Sequence, residues 1–192
     1  MKICLIRHGE TEWNNLGKTQ GRENIPLNKA GVEQINEVAN YLKGLDWKIV
    51  ITSPLLRAKE SAELIAKKIG NIEIIEEIDF IERDYGKASG MTADEKKLHF
   101  PDGNWPEAEK PEKLQNRTVK ALFKYIQKYN GNNIIIVSHK AAINSILSYL
   151  YENELVFEKT TLKNACMTLL ENTDKKVKVI YFNKLPNELW QN

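Results

Sequence analysis

The sequence predicts an α/β protein: a mostly parallel sheet with helices on both faces (three layers, αβα) and a small irregular lid. Three observations lead there. Short apolar, β-branched runs alternate with longer segments of helical period. Chemistry-bearing residues follow the carboxyl ends of three of these runs, where open α/β sheets bind ligands. Residues 80–110 break the alternation, carrying Gly86, Gly90, Pro101, Gly103 and Pro106.

Ile3, Cys4, Leu5 and Ile6 form the first apolar run, read as a buried strand, and polarity changes abruptly at Arg7. A loop from Asn14 to Pro26 holds Gln20-Gly21-Arg22. Asn28 suits an N-cap, and Val32, Ile35, Ala39 and Leu42 mark one face of a helix that stops near Gly44. Lys48 to Ile51 reads as a second strand. Ser53 then reads as an N-cap with Pro54 at the first helical position. Ala58, Ala62, Ile65 and Ile69 give the buried face of that helix, ended by Gly70. Ile72 to Ile78 is a third strand, and the following lid is too short to own a core. The spacing predicts a helix over Glu112–Tyr129, a strand over Asn133–Val137 and a helix over Ala141–Tyr151. Cys166–Leu170 and Val177–Phe182, joined by Asn172-Thr173-Asp174, read as a final strand pair. Without repeats, low-complexity tracts or a linker, residues 1–192 read as one domain.

Composition narrows the function classes. The 28 basic and 26 acidic residues are interspersed, which argues against a nucleic-acid footprint. No apolar run approaches the roughly 18 residues of a membrane span. Lys2 and four apolar residues are too short for a signal-peptide core, so the expected location is cytoplasmic. Cys4 and Cys166 sit within apolar runs and read as buried thiols of a reducing compartment. No convincing metal-ligand cluster or cofactor motif is visible. Only five of the 28 basic residues are arginine: Arg7, Arg22, Arg57, Arg83 and Arg117. Lysine is the default cation here, so each arginine is informative, because arginine grips phosphate in a planar, bidentate fashion.

Arg7-His8-Gly9-Glu10-Thr11, continued by Trp13-Asn14, resembles the signature of the histidine phosphatase (phosphoglycerate mutase-like) superfamily. Thr52-Ser53-Pro54-Leu55-Leu56-Arg57-Ala58 resembles its second motif, and His139 stands where the family has its second histidine. Glu82-Arg83-Asp84-Tyr85-Gly86 resembles the segment supplying the general acid, with Glu82 at the acid's position. The resemblance spans residues 7 to 139 in family order. Arg57 adds a physical clue: a cation in the first turn of a helix is tolerable where a bound anion compensates it.

The resemblance implies a metal-independent phosphomonoesterase acting on small phosphorylated metabolites. His8 would be the nucleophile, Arg7, Arg57 and His139 would hold the phosphoryl oxygens, and Glu82 would protonate the leaving oxygen. Asn14 is at a phosphate-contacting position, while Gln20, Tyr85 and Lys140 are expected to meet the substrate. His99 matches no motif and reads as structural. Lys140 departs from the family pattern, which has glycine after the second histidine. Its side chain either crowds the phosphate, adds a cation or points to solvent. Two alternatives compete with hydrolysis: a phosphoglycerate mutase using the same phosphohistidine, and a non-catalytic phosphate-ligand binder. A lid with no arginine beyond Arg83 weighs against the mutase. The sequence leaves the natural substrate and the oligomeric state open.

Overall fold

A computed structural model of the chain describes residues 1–151, 161–173 and 176–189. Six strands form one sheet: β1 (Lys2–Arg7), β2 (Ile49–Thr52), β3 (Ile74–Glu76), β4 (Ile134–Ser138), β5 (Met167–Asn172) and β6 (Val177–Lys184). Their order is β3-β2-β4-β1-β5-β6. The pairs β1–β4, β2–β4 and β2–β3 are parallel, whereas β5 runs antiparallel to both β1 and β6. The register sets Arg7 beside Ser138 and Thr52 beside Val137, so the carboxyl ends of β1, β2 and β4 finish level.

Six helices complete the described chain: α1 (Glu12–Asn15), α2 (Lys29–Leu42), α3 (Leu56–Ile69), α4 (Ala93–His99), α5 (Pro111–Lys128) and α6 (Lys140–Leu150). Successive strand residues face opposite sides of the sheet, and the core divides accordingly. Cys4, Ile6, Val50 and Ile135 pack on α2 and α3. Ile3, Leu5, Ile51 and Ile136 pack on α5 and α6. Both cysteines are buried and unbridged. Among the described residues no helix is long and apolar enough to cross a membrane.

Several local expectations are corrected. Val32 is 37% exposed, and the buried stripe of α2 is Gly31, Ile35, Val38, Ala39 and Leu42. Helix α3 begins at Leu56 with Leu55 as its N-cap, so Ser53 does not cap it and Pro54 precedes its first turn. The third strand shrinks to Ile74–Glu76, because the chain turns through a 3-10 helix at Ile78–Phe80. Residues 80–110 are less irregular than expected. They hold a 3-10 turn at Gly86–Ala88 and the capped helix α4, where Thr92 and Glu95 form a reciprocal capping box. In the final turn the Thr173 N–H reaches the Lys176 carbonyl at 3.1 Å, while Asp174 lies outside the described residues.

Gly9 is required by the packing of α2 on the loop after β1. A Cβ there would lie 2.5 Å from the Gly31 carbonyl oxygen, and one on Gly31 would lie 2.1 Å from that of Glu10. The two glycines let the start of α2 press against the loop after β1. Asn28 caps α2 through Gly31 N and donates to Glu10 Oε1 at 2.8 Å, fastening the same junction.

Candidate active site

Three chain segments leave the level edge of β1, β2 and β4 and meet. His8 N donates to the Ser138 carbonyl and Ser53 N to that of Val137, both at 3.0 Å. These bonds extend the ladder one step and hold His8, Ser53 and His139 together. The rings of His8 and His139 are 5.1 Å apart between centroids. His8 Nδ1 lies 2.7 Å from the Gly9 carbonyl, which only accepts, so Nδ1 carries the proton. The lone pair of Nε2 then accepts from Arg57 Nε at 3.2 Å. Burial, followed by repulsion from Arg57 and Arg7, holds His8 well below the ordinary 6.5 and therefore neutral.

Arg57 is 1% exposed and held by backbone carbonyls, of Glu23 at 2.7 Å and Gly21 at 2.8 Å. Burial lowers its guanidinium to about 10, so it remains a cation at neutral pH. Arg7 donates to the Leu162 carbonyl at 2.5 Å, while its Nε is buried with no partner among the described residues. His139 is fully buried against the His8 ring. Its Nε2 meets Ser53 Oγ at 2.7 Å, and its Nδ1 has no partner among the described residues. Burial first and Arg57 second hold it, too, well below 6.5.

Arg7, His8 and Arg57 face a cleft of about 560 Å³ that Asn14, Gln20, Glu82, Tyr85 and Lys140 also line. Asn14 sits in the capping box of α1, its Oδ1 accepting from Thr11 N at 3.2 Å and Asn164 Nδ2 at 3.0 Å. That turns the amide NH2 of Asn14 away from these partners. Gln20 is buried, with an amide oxygen that has no partner among the described residues. Asn164 is a site residue that sequence reading missed. It also donates to the His8 carbonyl at 3.3 Å, and nothing in its neighbourhood marks it as polar for a purpose. Exposed His99 lies away from the cleft at the end of α4.

Glu82 is buried at the first turn of α6. Its Oε1 accepts from Arg83 N at 2.8 Å and Ala142 N at 3.2 Å, and its Oε2 from Ala141 N at 3.2 Å. Carboxylates are favoured at helix N-termini. Behind it, Arg117 binds both oxygens of Glu109 at 2.8 Å and reaches the carbonyls of Asp79, Ile81 and Glu82. Ser138 Oγ adds a bond to the Phe80 carbonyl at 2.7 Å. Arg117 was expected as an informative cation, yet it pins the backbone under Glu82 and not a phosphate. Nor do the other two outer arginines enter this cleft: Arg22 pairs with Asp84 and Glu109, and Arg83 stacks against Tyr85 and Trp105.

Lys140 is half-buried on the cleft wall, which disposes of the solvent-facing alternative. Burial, then repulsion from Arg7, lowers its ammonium against the opposing pull of Glu82. Lys96, from α4, lies 5.0 Å over the Trp105 ring and lines the same cleft. Burial, then Lys140, lowers it as well. Among the described residues no group of three or more histidines, cysteines or carboxylates could hold a metal.

Two histidines and two arginines gathered at the carboxyl edge of a three-layer α/β sheet define a class of anion-binding proteins built around a buried neutral imidazole. The chain belongs to the histidine phosphatase superfamily (branch 1), whose family model matches residues 3–185. It is 40% identical over 181 residues to the uncharacterized phosphatase PhoE of Bacillus subtilis, covering 94% of this chain and 93% of that protein. A metal-independent phosphoserine phosphatase of Arabidopsis thaliana is 30% identical over 162 residues, 76% of this chain and 66% of that protein. The solved phosphoserine phosphatase of Entamoeba histolytica, in complex with 3-phosphoglyceric acid, superposes with a TM-score of 0.85 at 31% identity. The match covers 98% of this chain and 99% of that one.

Proposed function

We propose that this protein hydrolyses small phosphomonoesters through a phosphohistidine on His8, without a metal ion. One observation carries the reading: His8 is locked as the Nδ1–H tautomer, with the Nε2 lone pair at the cleft between two guanidiniums. A phosphoryl oxygen takes over the Arg57 Nε–H, which frees Nε2 to attack phosphorus. The N–P bond forms, the P–O bond breaks, and Glu82 gives its proton to the departing alkoxide. Water then attacks phosphorus, Glu82 takes the water's proton, and inorganic phosphate leaves as the N–P bond breaks. Arg7, Arg57 and the Asn14 amide hold the phosphoryl oxygens, where charge is spread in the transition state. His139 adds a donor through Nδ1–H, in the tautomer whose Nε2 accepts from the Ser53 hydroxyl. Gln20, Tyr85 and Lys140 contact the rest of the substrate. Residues 80–110 serve as the lid of one domain, and the protein works in the cytoplasm.

A mutase would need to shield the phosphohistidine from water until a second substrate arrives. The phosphatase relatives favour hydrolysis. The third alternative, a binder without catalysis, leaves a desolvated nucleophile beside two cations with no use. Rapid quench with labelled substrate tests the mechanism. It should trap an acid-labile, base-stable adduct that vanishes in His8→Ala, and turnover should survive excess chelator. Label on a serine or an aspartate, or rescue only by magnesium, would sink the reading.

A further inference from the structure

We propose that a second cleft, reached past Tyr85 and Lys140, receives the alcohol portion of the substrate and favours long, hydroxylated phosphomonoesters. This rests on the phosphomonoesterase reading above. The second cleft measures about 470 Å³, within the ~300–1,000 Å³ usual for small-molecule sites. It lies between α5, which contributes Pro111, Leu114 and Gln115, and α6, which contributes Ala141, Ser145 and Ser148. Tyr85 and Lys140 line both clefts, so the two adjoin there.

The direction of the chemistry points the same way. Glu82 must deliver its proton to the departing oxygen, so the alcohol begins its path beside Glu82. The Oε2 atom of Glu82 accepts from Ala141 N, and Ala141 is a wall of the second cleft. A long alcohol that leaves past Glu82 is therefore directed toward the space between α5 and α6.

The lining selects the chemistry. Ser148 is 6% exposed and lines the cleft, and its hydroxyl has no partner among the described residues. A buried hydroxyl left unpaired is unfavourable, and rotation about the Cα–Cβ bond of Ser148 toward a ligand hydroxyl would satisfy it. Ser145 Oγ stands 2.8 Å from Thr118 Oγ1, and Gln115 Nε2 donates to the Ser145 carbonyl at 3.3 Å. These bonds hold the polar wall in place. Lys140 also lines the first cleft, where the substrate's phosphate would balance it. That leaves Arg83 and Glu112 to offset one another in the second, which suits a neutral polyol better than a second strong anion.

The test compares three substrates: glycerol phosphate, a hexitol phosphate and p-nitrophenyl phosphate. The wild-type protein should show kcat/KM about tenfold higher for the hexitol ester than for the glycerol ester, the scale on which pocket contacts discriminate. Ser148→Leu fills the cleft from α6 and should abolish that preference. It should leave the glycerol and aryl esters unchanged. Gln115→Leu, from α5, provides an independent variant, and thermal melting establishes that both fold. A wild-type ratio near one would overturn the proposal. So would a ratio that survives both variants, or an equal fall on all three substrates, which would mean a structural effect. Should p-nitrophenyl phosphate turnover survive His8→Ala, the phosphohistidine mechanism fails, yet the hexitol-to-glycerol ratio still reports on the cleft.

Discussion

Three backbone N–H groups fix the position of Glu82, the proposed general acid. Protonation matters where the leaving oxygen is strongly basic, as in an alkyl phosphate, and little where it is p-nitrophenolate. Glu82→Gln keeps the size and removes the acid. General-acid assistance is typically worth about 10²–10⁴-fold, so hydrolysis of alkyl phosphates should fall by that order. The loss on p-nitrophenyl phosphate should be much smaller, as steady-state kinetics on the two substrates will read. Equal losses would assign Glu82 a structural or binding part, and Asp84 would be the next carboxylate to test.

At the scale of elements, the active edge depends on one arginine outside it. Arg117 on α5 ties Glu109 and the carbonyls of residues 79, 81 and 82 into one knot, its side chain 13% exposed and that of Glu109 2%. Removing one partner of a buried pair commonly costs about 3–5 kcal/mol, because the other charge is left uncompensated. Arg117→Met should lower the urea midpoint accordingly. It should also depress alkyl phosphate hydrolysis more than aryl phosphate hydrolysis, since it loosens the backbone under Glu82. Arg117→Met/Glu109→Leu should recover part of the stability without recovering the alkyl-to-aryl ratio. A variant that loses stability with that ratio intact would show that Arg117 acts on the fold alone.

At the scale of the whole molecule, burial of titratable groups sets the response to acid. His8 and His139 are held below their ordinary 6.5, so the unfolded chain takes up protons that the folded chain refuses. Their contribution to stability is complete above 6.5 and is lost as the pH falls below it. Each such group contributes a slope of at most about 1.4 kcal/mol per pH unit. A second decline should follow below 4.5. Burial pushes the Glu109 carboxyl up, but its bonds to Arg117 prevail and hold it below that ordinary value. Urea midpoints between pH 8 and pH 4 will show the first decline, and His8→Asn should make it shallower. A profile unchanged by that substitution would mean His8 titrates alike in both states.

Sequence alone was enough for what depends on local chemistry and period. The alternation of β-branched runs with helical periods fixes the three layers, and strand ends followed by Arg7-His8, Arg57 and His139 mark the active edge. What depends on neighbours distant in the chain was decided only by tertiary structure. Asn164 joins the site because β5 lies against β1, and 156 residues separate it from the His8 carbonyl it meets. The scarcity of arginine marks Arg117 as much as Arg57, yet Arg117 grips a buried carboxylate and three carbonyls while Arg57 faces His8. Gly9 is dictated by the helix that crosses it. Ser53 suits a helix cap by its type, but the approach of His139 gives its hydroxyl a nearer partner. In each case packing determines which of several chemically acceptable partners a side chain reaches, and that choice is not encoded in local spacing.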